Sequence, residues 1–253
     1  MVHPYRYGHL GLSPTRVNDL APWHTCVMSP AGMSATAAQP PLALIVDWGG
    51  VLTNDLASVM TSWTSGEEFE ATHFAEVMAA WFGRDAGLEA SVNPILALER
   101  GELAIPDFEL VLAEALSEVS STPVPPAGLL DRLFSHFQHA HDMTGLVHRA
   151  RDSGLKTALL SNSWGDHYPD HLFDGMFDAV VISGRVGMRK PEPEIFHHTC
   201  SLLGLAPPQC VFVDDLKHNI EAADRLGFRT VHHLTYGVTA SELSEIFGLD
   251  LNS

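Results

Sequence analysis

The stretch that decides the fold reads Asp47-Trp48-Gly49-Gly50-Val51-Leu52-Thr53, and it directly follows the apolar run Leu42-Ala43-Leu44-Ile45-Val46. A short, partly β-branched apolar run predicts a strand that is buried on both faces. A carboxylate at the carboxyl end of such a strand lies at the edge where open α/β sheets bind their ligands. The two glycines permit a sharp turn and a close approach of the backbone to a bound group. Alone, the pattern is equally typical of a buried turn aspartate, so elements further along the chain must decide.

The composition predicts a globular chain with a sizeable core, because 45% of the 253 residues are apolar. That length fits one large domain or a core with a smaller insert. The net charge of −17 argues against a nucleic-acid or anionic-membrane partner, since both need clustered Lys and Arg. Cys26, Cys200 and Cys210 show no paired spacing, which favours reduced thiols and a cytoplasmic location.

Residues 1–40 differ in amino-acid composition from the rest of the chain. They are rich in proline, glycine, serine and alanine, and they show neither helical nor strand periodicity. This composition predicts a mostly disordered extension. The segment lacks the charged start and apolar centre of a secretory signal, and no apolar run of the chain is long enough to span a bilayer.

Between residues 56 and 139 the strand pattern gives way to helical periodicity. Apolar residues recur at helical spacing near 67–82 and 106–119, and another helix is predicted over Leu129–Phe137. Pro106 and Asp107 suit the first turn of the second helix. These features predict a helical insert.

From about Met143 the chain alternates between helices and strands. The predicted helices cover residues near 143–153, Glu192–Leu203 and Asn219–Leu226, with Gly204 and Gly227 at C-cap positions. The predicted strands are Lys156–Ser161, Ala179–Ser183, Gln209–Asp214 and Thr230–His233. The simplest layout is a parallel sheet built from residues 41–55 and 140–253, interrupted by the insert over 56–139.

Polar residues follow three of the predicted strands. The first strand ends in Asp47, the second in Ser161-Asn162 and a later one in Asp214-Asp215. If these strands are neighbours, their carboxyl ends meet at one edge of the sheet. Three carboxylates so close together need a cation to stay ionised, and oxygen ligands favour Mg²⁺.

Lys190 precedes a proline-started helix in the run Gly187-Met188-Arg189-Lys190-Pro191-Glu192-Pro193. A compact cation there could neutralise a phosphate and the charge of a nucleophile. The Ser161 hydroxyl and the Asn162 amide could bind phosphate oxygens. The alternative for Lys190 is an ordinary solvent-exposed lysine.

The ordered set Asp47, Ser161-Asn162, Lys190-Pro191 and Asp214-Asp215 resembles the four motifs of the haloacid dehalogenase-like superfamily of phosphohydrolases. The match covers roughly residues 42–235. Three runs are similar to the branch that includes the phosphatase domain of soluble epoxide hydrolases and bacterial sugar-1-phosphate phosphatases: residues 186–196, residues 211–220 and, in the insert, residues 98–103. The resemblance implies an α/β fold with a Rossmann-like parallel sheet core and an inserted helical cap that closes over the substrate.

The same resemblance implies a Mg²⁺-dependent phosphatase of small phosphorylated metabolites. Asp47 would attack phosphorus and form an aspartyl phosphate, with Lys190 assisting. The metal ligands would be Asp47, the carbonyl of Gly49, Asp214 and Asp215. The substrate-binding residues would be Gly50, Ser161 and Asn162.

One departure from the family pattern concerns Gly49, because most phosphatases of the family carry a second Asp there as general acid and base. Such help is worth about 10²–10⁴-fold in rate. A second hypothesis is therefore a catalytically weak member that binds a phosphorylated ligand or a protein partner. His167 and His171 follow the second motif and are candidates for the missing acid.

Three other kinds of site fit the sequence less well. The Asp214-Asp215 pair argues against the metal-independent dehalogenases of the family. Residues 56–139 contain no lysine, which argues against a phosphonate hydrolase with a Schiff-base lysine in the insert. His136, His139 and His141 lie close together in sequence, but no Cys or Glu completes a familiar zinc spacing.

Overall fold

The structure, a computed structural model, describes residues 40–67, 69–82 and 93–252. The predicted disordered extension, apart from Pro40, lies outside the described residues. Within the described part, no helix is long and apolar enough to cross a membrane.

A five-stranded parallel sheet forms the centre of the described chain, with strand order β3-β2-β1-β4-β5. Its strands are β1 (Ala43–Val46), β2 (Lys156–Ser161), β3 (Ala179–Ile182), β4 (Cys210–Asp214) and β5 (Arg229–His232). The first strand of the sequence is the central one, so it pairs with β2 on one side and β4 on the other. Every β1 side chain is fully buried, as the apolar run of the sequence predicts.

Helices cover both faces of the sheet. Alternate β1 side chains point to opposite faces: Leu44 and Val46 belong to one apolar cluster, and Ala43 and Ile45 to the other. From residue 141 onward, the α-helices of the described chain are α6 (His141–Asp152), α7 (Ser183–Val186), α8 (Pro193–Leu203), α9 (Lys217–Arg225) and α10 (Tyr236–Phe247). Residues of α6 and α10 pack in the first cluster, and residues of α8 and α9 in the second.

Among the described residues, five helices lie between β1 and α6, and from here on we call residues 56–134 the helical insert. They are α1 (Leu56–Thr64), α2 (Ala71–Phe82), α3 (Pro94–Glu99), α4 (Ile105–Ser120) and α5 (Leu129–Phe134). The insert has its own apolar cluster, which includes Trp63, Phe108 and Leu112. The two linkers that join it to the sheet run side by side, because Thr53 forms an antiparallel bridge with His139.

The predicted α/β fold, with its parallel sheet and inserted helices, is confirmed. The predicted strands agree with the observed ones to within one residue at either end. The helix predicted from residue 67 begins at Ala71. Before it, the Glu67 carboxylate accepts a hydrogen bond from Trp63 Nε1 at 3.2 Å and pairs with Arg132. Four of the described helices, α1, α3, α7 and α10, were not predicted as elements. Of these, α1 begins at a clear N-cap, since Asp55 accepts a hydrogen bond from Ser58 N–H at 2.9 Å.

Candidate active site

Three strand ends meet at the carboxyl edge of the sheet. The register places Val46 of β1 beside Leu159 of β2 and beside Val213 of β4. Asp47 directly follows β1, and Asp214 is the last residue of β4. The convergence predicted from the sequence is therefore present in the fold.

Asp47, Asp214 and Asp215 form a compact acidic cluster. One carboxylate oxygen from each lies within 4.8 Å of the others, and within the described residues this is the only such group of possible metal ligands. Burial raises the pKa of Asp47 to about 8, although Lys190 opposes the shift, and the two neighbouring carboxylates add to it. Burial likewise raises the pKa of Asp215 to about 6, with Asp214 adding to the shift. The cluster therefore has too little compensating charge of its own.

Gly50 is where the backbone turns against this cluster. Its φ of 71° lies in the left-handed region. A Cβ atom at this position would lie 2.3 Å from Asp215 Oδ2, which no side chain could occupy. The Gly50 N–H donates to Thr53 Oγ1 at 3.1 Å. Gly50 thus allows the carboxylate of Asp215 to approach the turn after β1, while its assignment to substrate binding stays a prediction.

Lys190 is buried rather than solvent-exposed, with a side chain only 1% exposed. Its Nζ lies 2.9 Å from Asp47 Oδ1 and 2.6 Å from Asp214 Oδ2. Burial disfavours the ammonium form, but the two carboxylates outweigh it and raise the pKa of Lys190. This placement excludes the alternative of a solvated surface lysine and puts a permanent cation beside Asp47.

The two polar residues after β2 make different contacts. Ser161 Oγ lies 2.8 Å from the hydroxyl of Tyr168. The side chain of Asn162 bonds to the backbone of Lys190, since its Oδ1 accepts from the Lys190 N–H at 2.8 Å and its Nδ2 donates to the Lys190 carbonyl at 2.9 Å. Asn162 therefore joins the second motif to the third, and phosphate binding by Ser161 and Asn162 stays a prediction.

Two of the histidines considered from the sequence contact the helical insert. The ring of His167 stacks on Phe134 of the helical insert at a centroid distance of 4.4 Å, and its Nε2 lies 3.6 Å from Asp131. His136 Nδ1 lies 2.8 Å from Ser62 Oγ. These contacts tie both imidazoles to the insert.

The family model of the haloacid dehalogenase-like hydrolases matches residues 42–227, which is most of the chain. The chain belongs to this family. The resemblance carried by the four motifs is thereby confirmed. The matched range includes the strand-end carboxylates, the buried lysine and the helical insert.

Two of the curated relatives of this haloacid dehalogenase-like hydrolase are much longer proteins. It is 28% identical to acyl-CoA dehydrogenase family member 10 of Mus musculus over 83% of the chain and 19% of the relative. It is 25% identical to bifunctional epoxide hydrolase 2 of Sus scrofa over 83% of the chain and 39% of the relative. The chain thus spans well under half the length of these two relatives. It is also 30% identical to phosphoserine phosphatase of Thermus thermophilus over 50% of the chain and 54% of that protein.

Solved structures of the family share the fold. A haloacid dehalogenase family enzyme of Bacteroides thetaiotaomicron has a TM-score of 0.57 at 20% identity, covering 83% of this chain and 99% of its own. A structure of that enzyme with magnesium and inorganic phosphate has a TM-score of 0.51 at 22% identity, covering 75% of this chain and 92% of its own. A dehalogenase with an intermediate complex has a TM-score of 0.54 at 20% identity, covering 83% and 96% of the two chains. Because identity is low in all three, the likeness shows the fold alone.

Two buried polar residues near the site were not singled out from the sequence. Asn219 is fully buried, and its Nδ2 lies 3.0 and 3.1 Å from the two carboxylate oxygens of Asp214. Glu99 of the insert pairs with Arg189. Both residues fall inside runs that carried the family resemblance, yet nothing in their local spacing predicts these partners.

Proposed function

We propose that the protein is a Mg²⁺-dependent phosphatase of small phosphorylated metabolites that acts through an aspartyl phosphate. The observation that carries the proposal is the position of Asp47. Its carboxylate lies at the end of the central strand, 2.9 Å from the buried Lys190 ammonium and within the acidic cluster. A carboxylate paired with a fixed cation, beside a site that favours a divalent ion, is the arrangement that phosphoryl transfer requires.

The acidic cluster suits magnesium. Its donors are carboxylate oxygens, which hard cations prefer, and burial raises the pKa of both Asp47 and Asp215. The turn at Gly50 has no side chain, which lets the Asp215 carboxylate lie directly against the backbone after β1. We propose Asp47, Asp214, Asp215 and the Gly49 carbonyl as the residues that hold the ion. When bound, Mg²⁺ would offset the negative charge of the carboxylates and of the phosphoryl oxygens.

The reaction divides into two displacements at phosphorus. In the first, an Asp47 oxygen forms a bond to phosphorus while the bond to the leaving oxygen breaks. Lys190 stabilises the charge that gathers on the phosphoryl oxygens, and the Ser161 hydroxyl binds one of them. In the second, water attacks the aspartyl phosphate, which releases inorganic phosphate and restores the Asp47 carboxylate.

The helical insert acts in this proposal as a cap. Its helices have their own core, and loop residues after β2 contact it, as the stacking of His167 on Phe134 illustrates. A cap of this kind excludes water from the phosphoryl group and selects the substrate. A small phosphorylated metabolite, rather than a protein, is therefore the proposed substrate.

A second candidate function rests on Gly49. With no carboxyl group at this position, the leaving oxygen lacks the usual acid, and slow turnover would make the protein chiefly a binder of a phosphorylated ligand or of a protein partner. The acidic pair Asp214-Asp215 and the buried Lys190 favour the phosphatase over this alternative and over a metal-independent dehalogenase.

Turnover of an aryl phosphate with and without Mg²⁺ tests the proposal. We expect hydrolysis that requires Mg²⁺ and that falls by at least about a thousandfold in Asp47→Asn, the order of loss seen when a nucleophile is removed. Asp224→Asn, on the exposed side of α9, is the control of the same chemical type. Binding of inorganic phosphate without turnover would favour the second candidate, and full activity of Asp47→Asn with an intact fold would remove Asp47 from the nucleophile role.

A further inference from the structure

The carboxylate of Glu99 has an unusual position for a glutamate. It ends α3 of the helical insert, and only 6% of the residue is exposed. Glutamates are seldom buried to this extent unless they are paired. The proposed function assigns no part to this residue.

The partners of Glu99 come from two loops of the sheet domain, by which we mean the five-stranded sheet with helices α6 to α10 and the loops between them. Arg189 Nε donates to Glu99 Oε2 at 2.5 Å, and Trp164 Nε1 donates to Glu99 Oε1 at 3.2 Å. Asn162 Nδ2 lies 3.4 Å from Glu99 Oε2. One carboxylate of the insert therefore contacts both the loop after β2 and the loop that carries Lys190.

Both loops act on Lys190. Arg189 is its neighbour in the chain, and Asn162 holds its backbone N–H and carbonyl at 2.8 and 2.9 Å. Lys190 in turn places its Nζ 2.9 Å from Asp47. A short chain of contacts thus runs from Glu99 to the proposed nucleophile.

The segment around Glu99 is closely packed against the sheet domain. A Cβ atom at Gly101 would lie 2.5 Å from the carbonyl oxygen of Gly184, so the two backbones are in direct contact. Arg100 forms an ion pair with Glu192, just before α8. Trp164, whose indole N–H reaches Glu99, packs against the apolar cluster of the insert, 5.9 Å from Phe108 between ring centroids. The backbone and side chain of Glu99 are therefore held in place by close packing on several sides.

The charges point the same way. Arg189 is buried next to Lys190 in the chain, and its side chain is only 10% exposed. A buried guanidinium without a partner would be costly and would compete with Lys190 for the nearby carboxylates. Glu99 neutralises Arg189, which leaves Lys190 to its own pair of aspartates.

We propose that Glu99 is a positioning residue that couples the helical insert to Lys190 through Arg189 and Asn162. It touches neither the phosphoryl group nor the metal ligands; it sets the loop from which the Lys190 ammonium reaches Asp47. The effect on turnover rests on the proposed phosphatase function, whereas the effect on the loop does not.

Glu99→Gln tests the proposal, with Glu109→Gln as the matched control. Glu109 is also a buried carboxylate of the insert, but it accepts hydrogen bonds from Gly128 and Leu130, both within the insert. We expect Glu99→Gln to lower kcat by about 10²-fold, the cost of a small misplacement of a catalytic group, with KM changed far less. Glu109→Gln should keep kcat within about threefold of wild type at a temperature below its unfolding transition.

A double-mutant cycle separates positioning from a general loss of structure. Arg189→Met leaves Glu99 without its main partner, and the double variant Glu99→Gln/Arg189→Met removes both charges. We expect the double variant to lose less kcat than the product of the two single losses, because the pair acts as a unit. Additive losses would overturn the coupling.

Hydrogen exchange provides a measurement that needs no turnover. The Lys190 N–H donates to Asn162, so loosening the loop should expose it. We expect amides of the segment 187–192 to exchange at least about tenfold faster in Glu99→Gln than in wild type or Glu109→Gln. Equal exchange in all three proteins would overturn the positioning role. If exchange is faster in Glu99→Gln as predicted but the wild-type protein hydrolyses no phosphate ester, the proposed function is contradicted and the positioning role stands.

Discussion

At the scale of single residues, the two adjacent glycines after Asp47-Trp48 differ in their surroundings. Any other residue at Gly50 would be strained, since φ is 71° and a Cβ atom there would displace the Asp215 carboxylate. At Gly49 a Cβ atom would meet no other atom within 4 Å, and φ lies outside the left-handed region. The missing second carboxylate is therefore a chemical feature of this protein rather than a steric necessity.

Because Gly49 supplies no acid, the leaving oxygen must depart largely unprotonated. We expect kcat/KM to fall steeply as the pKa of the leaving group rises, so that aryl, acyl and anomeric sugar phosphates are better substrates than alkyl phosphates. The open space at this position predicts that Gly49→Asp folds and gains activity on alkyl phosphates. The check is a series of esters graded by leaving-group pKa; a flat dependence with chemistry rate-limiting would mean that another acid already serves.

The acidic cluster predicts that magnesium binding depends on pH. A metal ion binds the deprotonated carboxylate, and burial raises the pKa of Asp47 to about 8 and that of Asp215 to about 6. Below these values the ion must displace protons, so its apparent affinity should increase from pH 6 to pH 8. Calorimetry in buffers of different ionisation enthalpy should detect proton release when magnesium binds. Asp215→Ala should abolish the magnesium binding and with it the proton release. An affinity that is constant over this range would contradict the assignment.

At the scale of the element, β4 links the core of the sheet to the site at its end. Phe212 is fully buried at the middle of this strand, and its ring lies 5.3 Å from that of Phe196. The Lys190 ammonium lies 5.6 Å from the centre of the Phe212 ring. Two residues further along the strand is Asp214, which pairs with Lys190. Packing of β4 therefore positions both partners of this ion pair.

Phe212→Ala should consequently lower both stability and activity. Truncation of a fully buried phenylalanine lowers the free energy of unfolding by about 3–5 kcal/mol. Leu202→Ala is the control on α8, because that side chain is 54% exposed and its loss should change stability by less than about 0.5 kcal/mol. Urea unfolding followed by circular dichroism measures the stability of both variants. A loss near 1 kcal/mol for Phe212→Ala would show that the site collapses around the missing ring.

At the scale of the whole molecule, the described chain contains three apolar clusters. Two of them lie on the two faces of the sheet, and the third lies within the helical insert. The insert is joined to the sheet by two paired linkers and by the ion pairs of Glu99 and Arg100. A separate core with few connections predicts separate local stability.

Leu112→Ala therefore should destabilise the insert before the sheet. Leu112 is fully buried in the insert cluster, and its truncation costs about 2–5 kcal/mol of local stability. Native-state hydrogen exchange should show faster exchange across α1 to α5, with the strands β1, β2 and β4 little changed. An equal increase in the insert and in the strands would mean that the two parts unfold as one cooperative unit.

How much of this protein its sequence determined depends on the range of each interaction. The strands and most helices follow from local apolar periodicity. The carboxyl ends of parallel strands that are neighbours must meet at one edge, although the order of the strands in the sheet was not predicted. Asp47 and the Asp214-Asp215 pair could therefore be predicted as site residues, whereas Lys190 was predicted from its place in the family motifs. The partners of those residues could not: Glu99 and Arg189 are 90 positions apart, and Asn162 and Lys190 are 28 apart. Such pairs carry no local spacing, so only tertiary packing, which seats α3 against the sheet domain, decided which buried charges meet.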